Sequence, residues 1–147
     1  MSRNCRFAVA VHVAALLAMN DGQPVTSDWI AGSVNTNPVV IRRIVSALGK
    51  AGLVSATRGS NGGSMLARPA NSITLLDILR AVEEEDGPAL HNQPPNRNCP
   101  VGRGIQPVLR QVIDRAEAAR EAVLANTLLS EVVGAILAAC LLYTSPS

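Results

Sequence analysis

The stretch from residue 37 to residue 63 constrains the fold more than any other part of the chain. It opens with Asn37 and Pro38, which suit the N-cap and the first position of a helix. The apolar residues that follow recur at spacings of three and four, which predicts one buried helix face. The members of that face are Ile41, Ile44, Val45 and Leu48. Because Gly52 suits a left-handed helix end, we predict a short helix here, with a polar and basic outer face.

A glycine-rich turn between two β-prone segments follows this helix. Residues 53–57 and 64–68 are predicted to pair as a hairpin with a basic tip, which we call the wing (residues 53–68). Upstream, residues 3–19 predict an apolar helix that neighbours bury on more than one side. A second helix is predicted from a cap at Thr26 or Ser27 to about Ser33, with Trp29 facing inward. This order predicts a mainly α fold with a small β-wing, a winged helix-turn-helix.

The charge is unevenly distributed along the chain. Residues 1–70 hold seven basic and two acidic side chains, a net charge of +5, whereas residues 71–147 hold six basic and nine acidic ones, a net charge of −3. A basic N-terminal half is typical of a polyanion partner, although ordinary surface scatter also produces such values. Aromatic residues make up only 2%, which predicts an aliphatic core and argues against single-strand binding by base stacking.

The second half of the chain predicts further helices around a long loop. Thr74 and Asp77 resemble a capping box for a helix over 74–85. Residues 87–104 are rich in Gly, Pro and Asn and predict an irregular loop. A helix of about twenty residues then carries a heptad seam, formed by Ile105, Leu109, Val112, Ala116, Ala119 and Val123. This helix either covers the winged domain or pairs with a second subunit, and a short helix over 128–138 follows.

These motifs together resemble the Rrf-type winged-helix regulators, the family that includes IscR, NsrR and CymR. The resemblance covers residues 2 to about 135 and depends on the order and spacing of six segments. They are Phe7-Ala8-Val9, Ile30-Ala31, Asn37 to Arg43, Leu48 to Val54, Arg58-Gly59-Xaa-Xaa-Gly62-Gly63, and Ile73 to Ile78. The resemblance implies a homodimeric bacterial transcription factor, usually a repressor, with a DNA-binding domain over 1–86, a sensor-type loop over 87–104, and a dimerisation helix and terminal helix over 105–138.

The resemblance also implies the residues that contact a pseudo-palindromic DNA operator. They are Ser27, Thr36, Asn37, Val39, Arg42, Arg43, Arg58, Ser60 and Asn61. Arg42 or Arg43 could pair with guanine or hold a phosphate, and Val39 could touch a thymine methyl group. Arg58 could enter a narrow minor groove, while Gly59, Gly62 and Gly63 permit the tight turn of the wing.

Some family members hold an iron–sulfur cluster with three cysteines in the sensor-type loop. This chain has only Cys99 there, with Gln93 and Gly87 where the pattern expects the other two. A cluster needs three or four ligands, so we expect no cofactor and no metal. Cys99 is instead either a redox-responsive thiol, with Cys5 as a possible partner, or a small buried hydrophobe like Cys5.

The remaining features limit the function class. His12 lies in an apolar helix and is expected to be a core histidine. Without a nucleophile–base pair or a metal triad, we expect no enzyme; without a signal peptide or membrane span, we expect a cytoplasmic protein. The alternative to thiol or small-ligand gating is a regulatory protein that docks on the acidic surface at 83–86. Residues 140–147 resemble a translated sequencing adaptor, so Cys140 supports no functional argument.

Overall fold

The computed structural model describes residues 5–83 and 88–144. Within these residues the chain forms six α-helices, a two-stranded antiparallel sheet and a 3-10 turn at Ala70–Ser72. In chain order they are α1 (Cys5–Met19), α2 (Ser27–Val34), α3 (Pro38–Lys50), β1 (Val54–Thr57), β2 (Gly63–Leu66), α4 (Leu75–Val82), α5 (Pro100–Ala125) and α6 (Leu129–Thr144). The mainly α fold with a small β-wing is therefore confirmed.

Helix α1 lies at the centre of the core. It packs against α2, α3, α4, α6 and β2, and this explains why so much of its surface is apolar. Ala10, Val13 and Leu17 are each at most 1% exposed. The buried hydrophobic residues of the described part are all Ala, Val, Leu or Ile, as the low aromatic content predicted. An alanine-rich α1 lets its neighbours approach closely without large side chains between them.

Capping residues fix the ends of α2 and the start of α3. The Thr26 hydroxyl accepts a hydrogen bond from the Trp29 backbone N–H at 3.2 Å, so Thr26 rather than Ser27 is the N-cap of α2. Asn35 ends α2 in the left-handed conformation, with φ of 64°. The Asn37 side chain then accepts from the Val39 backbone N–H at 2.8 Å and starts α3. A connection of three residues therefore sets the angle between the two helices.

The inward orientation predicted for Trp29 is wrong. Its side chain is 54% exposed, whereas the adjacent Ile30 and Ala31 are buried. Helix α2 has only eight residues, and two turns contain too few apolar positions to fix the rotational phase of the helix.

The wing is joined to the start of α2 by backbone hydrogen bonds. β1 pairs with β2 in the register Val54 to Leu66 and Thr57 to Gly63. Val25 donates to the Ser64 carbonyl at 3.0 Å and accepts from the Ser64 N–H at 2.8 Å. Val25 therefore acts as a one-residue third strand, and the wing and α2 share a fixed geometry.

The capping box predicted at the start of α4 is confirmed. Thr74 donates its backbone N–H to the Asp77 carboxylate at 2.9 Å, and its hydroxyl accepts from the Asp77 N–H at 3.0 Å. The helix ends at Val82, earlier than the predicted residue 85. Of the acidic surface predicted at 83–86, only Glu83 lies within the described residues.

Helix α5 begins at Pro100, five residues before the predicted start. The Gly-, Pro- and Asn-rich composition of residues 87–104 predicted a loop up to Ile105, but the helix includes the end of that segment and also Pro107. Its 26 residues span about 39 Å at 1.5 Å per residue. None of its residues is buried in the monomer, although it packs against α4, where Arg80 and Glu121 form an ion pair at 3.6 Å.

Two backbone hydrogen bonds join the segment after α5 to the start of α4. Leu75 donates to the Thr127 carbonyl at 2.9 Å, and Leu129 donates to the Ile73 carbonyl at 2.8 Å. We call this pairing the clasp (residues 73–75 with 127–129). Leu129 is fully buried, and α6 packs against α1. Helix α6 extends to Thr144, beyond the predicted end at residue 138.

Candidate nucleic-acid interface

The outer face of α3 presents a polar ridge. Ile41, Ile44 and Leu48 are at most 2% exposed and anchor the inner face. The opposite side carries residues spaced by four, three and four, which places them in one line along the helix. They are Val39, Arg43, Ser46 and Lys50, all exposed. We call this line the α3 ridge.

Arg42 lies beside the α3 ridge, on the side toward α2. Its Nη2 atom is 3.9 Å from the Asp28 Oδ1 atom, and the side chains are 60% and 79% exposed. An exposed pair at this distance contributes little to stability. Both Arg42 and Arg43 therefore lie on the open face of α3, and neither is a buried structural residue.

Glycines shape the tip of the wing. Gly59 has φ of 111°, a conformation that side chains disfavour, and its carbonyl accepts from the Gly62 N–H at 3.0 Å. At Gly63 an added Cβ would lie 2.7 Å from the Val25 carbonyl oxygen. Glycine is therefore required where the wing meets Val25. The turn leaves Arg58, Ser60 and Asn61 exposed at the tip.

An open cleft of about 510 Å³ separates α3 from the wing. Ser27, Arg42, Ser46 and Arg58 are among the side chains that line it. A second cleft of about 670 Å³ lies on the other side of the α3 ridge and includes Arg43 and Lys50 in its lining. The α3 ridge thus lies between two basic clefts. This arrangement is expected of a helix that enters a DNA groove, because a phosphate backbone then lies on either side of the helix.

Backbone amides add to the positive character of this surface. The N-termini of α2 and α3 both lie beside it, and the first N–H groups of a helix attract phosphate. In the described part of the chain, Arg43 and Arg58 form no ion pair with an acidic residue. These cations are therefore available to a polyanion without first breaking an internal contact.

The structure brings together most of the residues predicted for the DNA interface. Ser27 is half-buried at the first position of α2 and lines the first cleft. Thr36 is half-buried at the turn, and its N–H donates to the Ala31 carbonyl at 3.0 Å. The Asn37 Oδ1 atom is occupied by the helix cap, which leaves its amide donor for a ligand.

Sequence reasoning omitted two residues of the same surface. Ser46 lines both clefts, and Lys50 lines the second. Their spacing from Val39 and Arg43 was the signal that would have found them, because the four residues continue one helical line. Arg6 also lines the second cleft, where its Nε donates to the Val82 carbonyl at 3.3 Å.

The prediction that His12 is a core histidine is wrong. Its side chain is exposed, and its Nε2 atom lies 3.0 Å from the Ser33 hydroxyl, which joins α1 to α2. The surrounding α1 sequence is apolar because this helix packs against five other elements, whereas His12 lies at an exposed position of the same helix.

Cys5 and Cys99 are free thiols. Cys99 is exposed and is the N-cap of α5, without a side-chain capping hydrogen bond. It is therefore not a small buried hydrophobe, one of the two alternatives left open above. Cys5 is half-buried at the first residue of α1. The loop before α5 is closed by Asn96, whose side chain accepts from the Asn98 N–H at 2.9 Å and whose carbonyl accepts from the Cys99 N–H.

The donor set of this loop does not fit an iron–sulfur cluster. Cys99 supplies the single thiol of the segment over 87–104. Among residues 5–83 and 88–144, no group of three His, Cys, Asp or Glu side chains is arranged to hold a metal ion. Gly87, where the pattern expects a cysteine, lies outside the described residues. In the same described ranges, no helix is long and apolar enough to cross a membrane.

The α5 seam is the second exposed feature of the molecule. Leu109, Val112 and Val123 are 36%, 53% and 67% exposed. Ile105 is half-buried, and Ala116 and Ala119 are exposed. Apolar side chains at heptad spacing along one long helix form a continuous strip, and this strip is exposed from Leu109 to Val123.

Comparison with known proteins identifies the family. The sequence profile of the Rrf2 family, described as "Iron-dependent Transcriptional regulator", matches residues 3–135. YwnA of Bacillus subtilis (strain 168), provisionally named an HTH-type transcriptional regulator, is 39% identical over 130 residues, which are 88% of this chain and 96% of that protein.

Two solved structures of CymR share the fold. CymR of B. subtilis, the global cysteine regulator of that organism, is 26% identical with a TM-score of 0.68, over 91% of this chain and 95% of that one. The oxidized form of Staphylococcus aureus CymR is 27% identical with a TM-score of 0.68, over 90% of this chain and 96% of that one. With its winged fold, its basic α3 ridge and a profile match over most of its length, the chain belongs to the Rrf2 family of DNA-binding transcriptional regulators.

Proposed function

We propose that the protein is a homodimeric repressor that reads a pseudo-palindromic operator. The observation that carries this proposal is the α3 ridge between two basic clefts, with the wing arginine Arg58 on the same surface. The α3 ridge enters the major groove, where Arg43 and Arg42 reach base edges. Arg58 and the exposed Ser60 and Asn61 at the wing tip reach the adjacent minor groove or its phosphates.

The α5 seam supports the dimer. A strip of exposed Leu and Val side chains on a surface helix is costly in water and marks an interaction site. The partner that best fits is the same seam of a second copy, because heptad spacing on one helix is self-complementary about a two-fold axis. The dimer then presents two α3 ridges to successive turns of the DNA, with half-sites about one helical turn apart. The repressor role is carried over from the family resemblance.

The proposed regulator works without an iron–sulfur cluster. The single thiol in the loop before α5 cannot supply the three or four ligands that a cluster requires. Protein purified in air and protein purified without oxygen should therefore bind the operator equally well. Neither preparation should absorb visible light. A brown anaerobic preparation with cysteine-dependent absorbance would contradict this part of the proposal.

Oxidation of Cys99 is the proposed signal. Its thiol is exposed at the N-cap of α5, where a small oxidant can reach it. The thiolate sulfur attacks one oxygen of hydrogen peroxide, the O–O bond breaks, and the second oxygen leaves as hydroxide. The product is a sulfenic acid. The charge and size of the new group at the end of α5 would alter the dimer and release DNA. A relative also has an oxidized form, since the oxidized form of S. aureus CymR has been solved.

Selection of duplexes from a random pool tests the proposal. The purified protein is used with and without peroxide, beside Cys99→Ser and, as the matched control, Cys5→Ser. We expect an enriched pseudo-palindrome whose binding is lost on oxidation in the wild type and in Cys5→Ser but retained in Cys99→Ser. An enriched site without a dyad would contradict the dimer, and binding indifferent to peroxide would contradict the thiol signal.

A further inference from the structure

An acidic side chain sits at the edge of the basic surface. No acidic residue of the described chain lines either cleft beside the α3 ridge. Asp28 nevertheless reaches this surface through its ion pair with Arg42. A carboxylate close to DNA phosphates would repel them, so we expect Asp28 to lower the general affinity for DNA.

Stability does not account for this arrangement. The Asp28 and Arg42 side chains are 79% and 60% exposed and 3.9 Å apart, and such pairs contribute little to folding. The first turn of α2 also favours an acidic residue, but that effect does not require the carboxylate to face Arg42. The position of the carboxylate, directed at a cation of α3, therefore points to a role in the complex with DNA.

We propose that Asp28 is a specificity-determining residue that positions Arg42 to read a base. This inference rests on the proposed function, the recognition of an operator by α3. Arg42 is the fifth residue of α3, and residues in the N-terminal part of a recognition helix contact base edges. The Asp28 carboxylate faces the Nη2 end of the guanidinium. The remaining donors of the planar fork stay open for the O6 and N7 atoms of guanine.

The same pairing disfavours a phosphate as the alternative ligand of Arg42. A guanidinium paired with a carboxylate has less to gain from a phosphate, and the phosphate would lie beside the Asp28 charge. Without Asp28, Arg42 can swing to the DNA backbone, where it binds every sequence equally. Asp28 thus lowers non-specific affinity and preserves the base contact, and both effects raise discrimination.

The test compares Asp28→Asn with the wild type on two duplexes, the selected operator and a scrambled sequence. Affinities are measured by fluorescence anisotropy over a range of salt concentrations. We expect the ratio of specific to non-specific affinity to fall by between about 5-fold and about 150-fold, the discrimination of one bidentate arginine contact. On the scrambled duplex the slope of log affinity against log salt should steepen by about 0.9, one added phosphate contact. Asp21→Asn, which removes an exposed acidic residue elsewhere, is the control for net charge.

A double-mutant cycle separates positioning from a structural effect. In the Arg42→Ala background, Asp28→Asn should leave the ratio of affinities unchanged, because the residue to be positioned is gone. An equal fall in both backgrounds, an unchanged ratio in Asp28→Asn, or the same effect in Asp21→Asn would overturn the inference. A wild type that prefers no duplex would overturn the proposed function itself, whereas an operator preference with an inert Asp28 would overturn only the inference.

Discussion

Substitution of Gly63 by alanine tests the junction between the wing and α2. An alanine Cβ at this position would lie 2.7 to 2.8 Å from three backbone atoms of Val25. Real Cβ atoms almost never come within 3.0 Å of a heavy atom, and backbone cannot rotate away as a side chain does. Gly63→Ala must therefore move the wing away from Val25.

The cost of Gly63→Ala follows from the two hydrogen bonds between Val25 and Ser64. Each backbone hydrogen bond contributes about 1 kcal/mol net, and overpacking of a fixed junction costs about 1–3 kcal/mol when the bonds are kept. We expect the free energy of unfolding to fall by about 2 kcal/mol. For a chain of about 150 residues, this lowers the Tm by about 4–8 °C.

Thermal unfolding followed by circular dichroism, at one protein concentration, measures this effect. The matched control is Gly32→Ala, since a Cβ at Gly32 meets nothing within 4 Å and alanine stabilises the interior of a helix by about 0.5–1 kcal/mol. Gly63→Ala should therefore melt below the wild type and Gly32→Ala above it. A Gly63→Ala variant that melts with the wild type would refute the close approach of the wing to Val25.

Three further predictions concern the wing tip, the α5 seam and the start of α4. Arg58→Ala should weaken operator binding and reduce the slope of log affinity against log salt by about 0.9. An unchanged slope would show that Arg58 contacts no phosphate. Val112→Glu should convert the dimer to a monomer in sedimentation velocity, because a buried unpaired charge opposes association, while Gln111→Glu off the seam stays dimeric; two dimeric variants would place the interface elsewhere. Thr74→Ala should lower stability by about 1 kcal/mol through loss of the N-cap, and an unchanged unfolding midpoint in urea would show that the capping box is dispensable.

The interface elements were predictable from the sequence because each carries a local signal. Helix α3 has an N-cap, a first-turn proline and an apolar face that extends over two turns, from Ile41 to Leu48. The wing has glycines where the backbone must turn or approach Val25. Such features depend on neighbours within a few residues, so the sequence contains most of the information that fixes them.

The errors arise where the outcome depends on distant parts of the chain. Trp29 and His12 lie on helices whose covered sides are decided by other elements, and α2 is too short to set its own phase. The predicted start of α5 is late because residues 87–104 have the composition of a loop throughout, whereas the loop closed by Asn96 ends before Pro100, where the helix begins. Ser46 and Lys50 were omitted because their residue types alone do not distinguish them from other surface residues. Only the position of the wing shows which face of α3 is open.

The clasp has a consequence for the order in which the protein matures. Residues that form α1 to α4 leave the ribosome first, since synthesis proceeds from the N-terminus. Their core nevertheless includes Leu129. The backbone hydrogen bonds of Ile73 and Leu75 in the clasp also form only with Leu129 and Thr127. The winged part therefore reaches its final stability only after the whole of α5 has been synthesised. A nascent chain therefore completes the winged part and α5 in the same step.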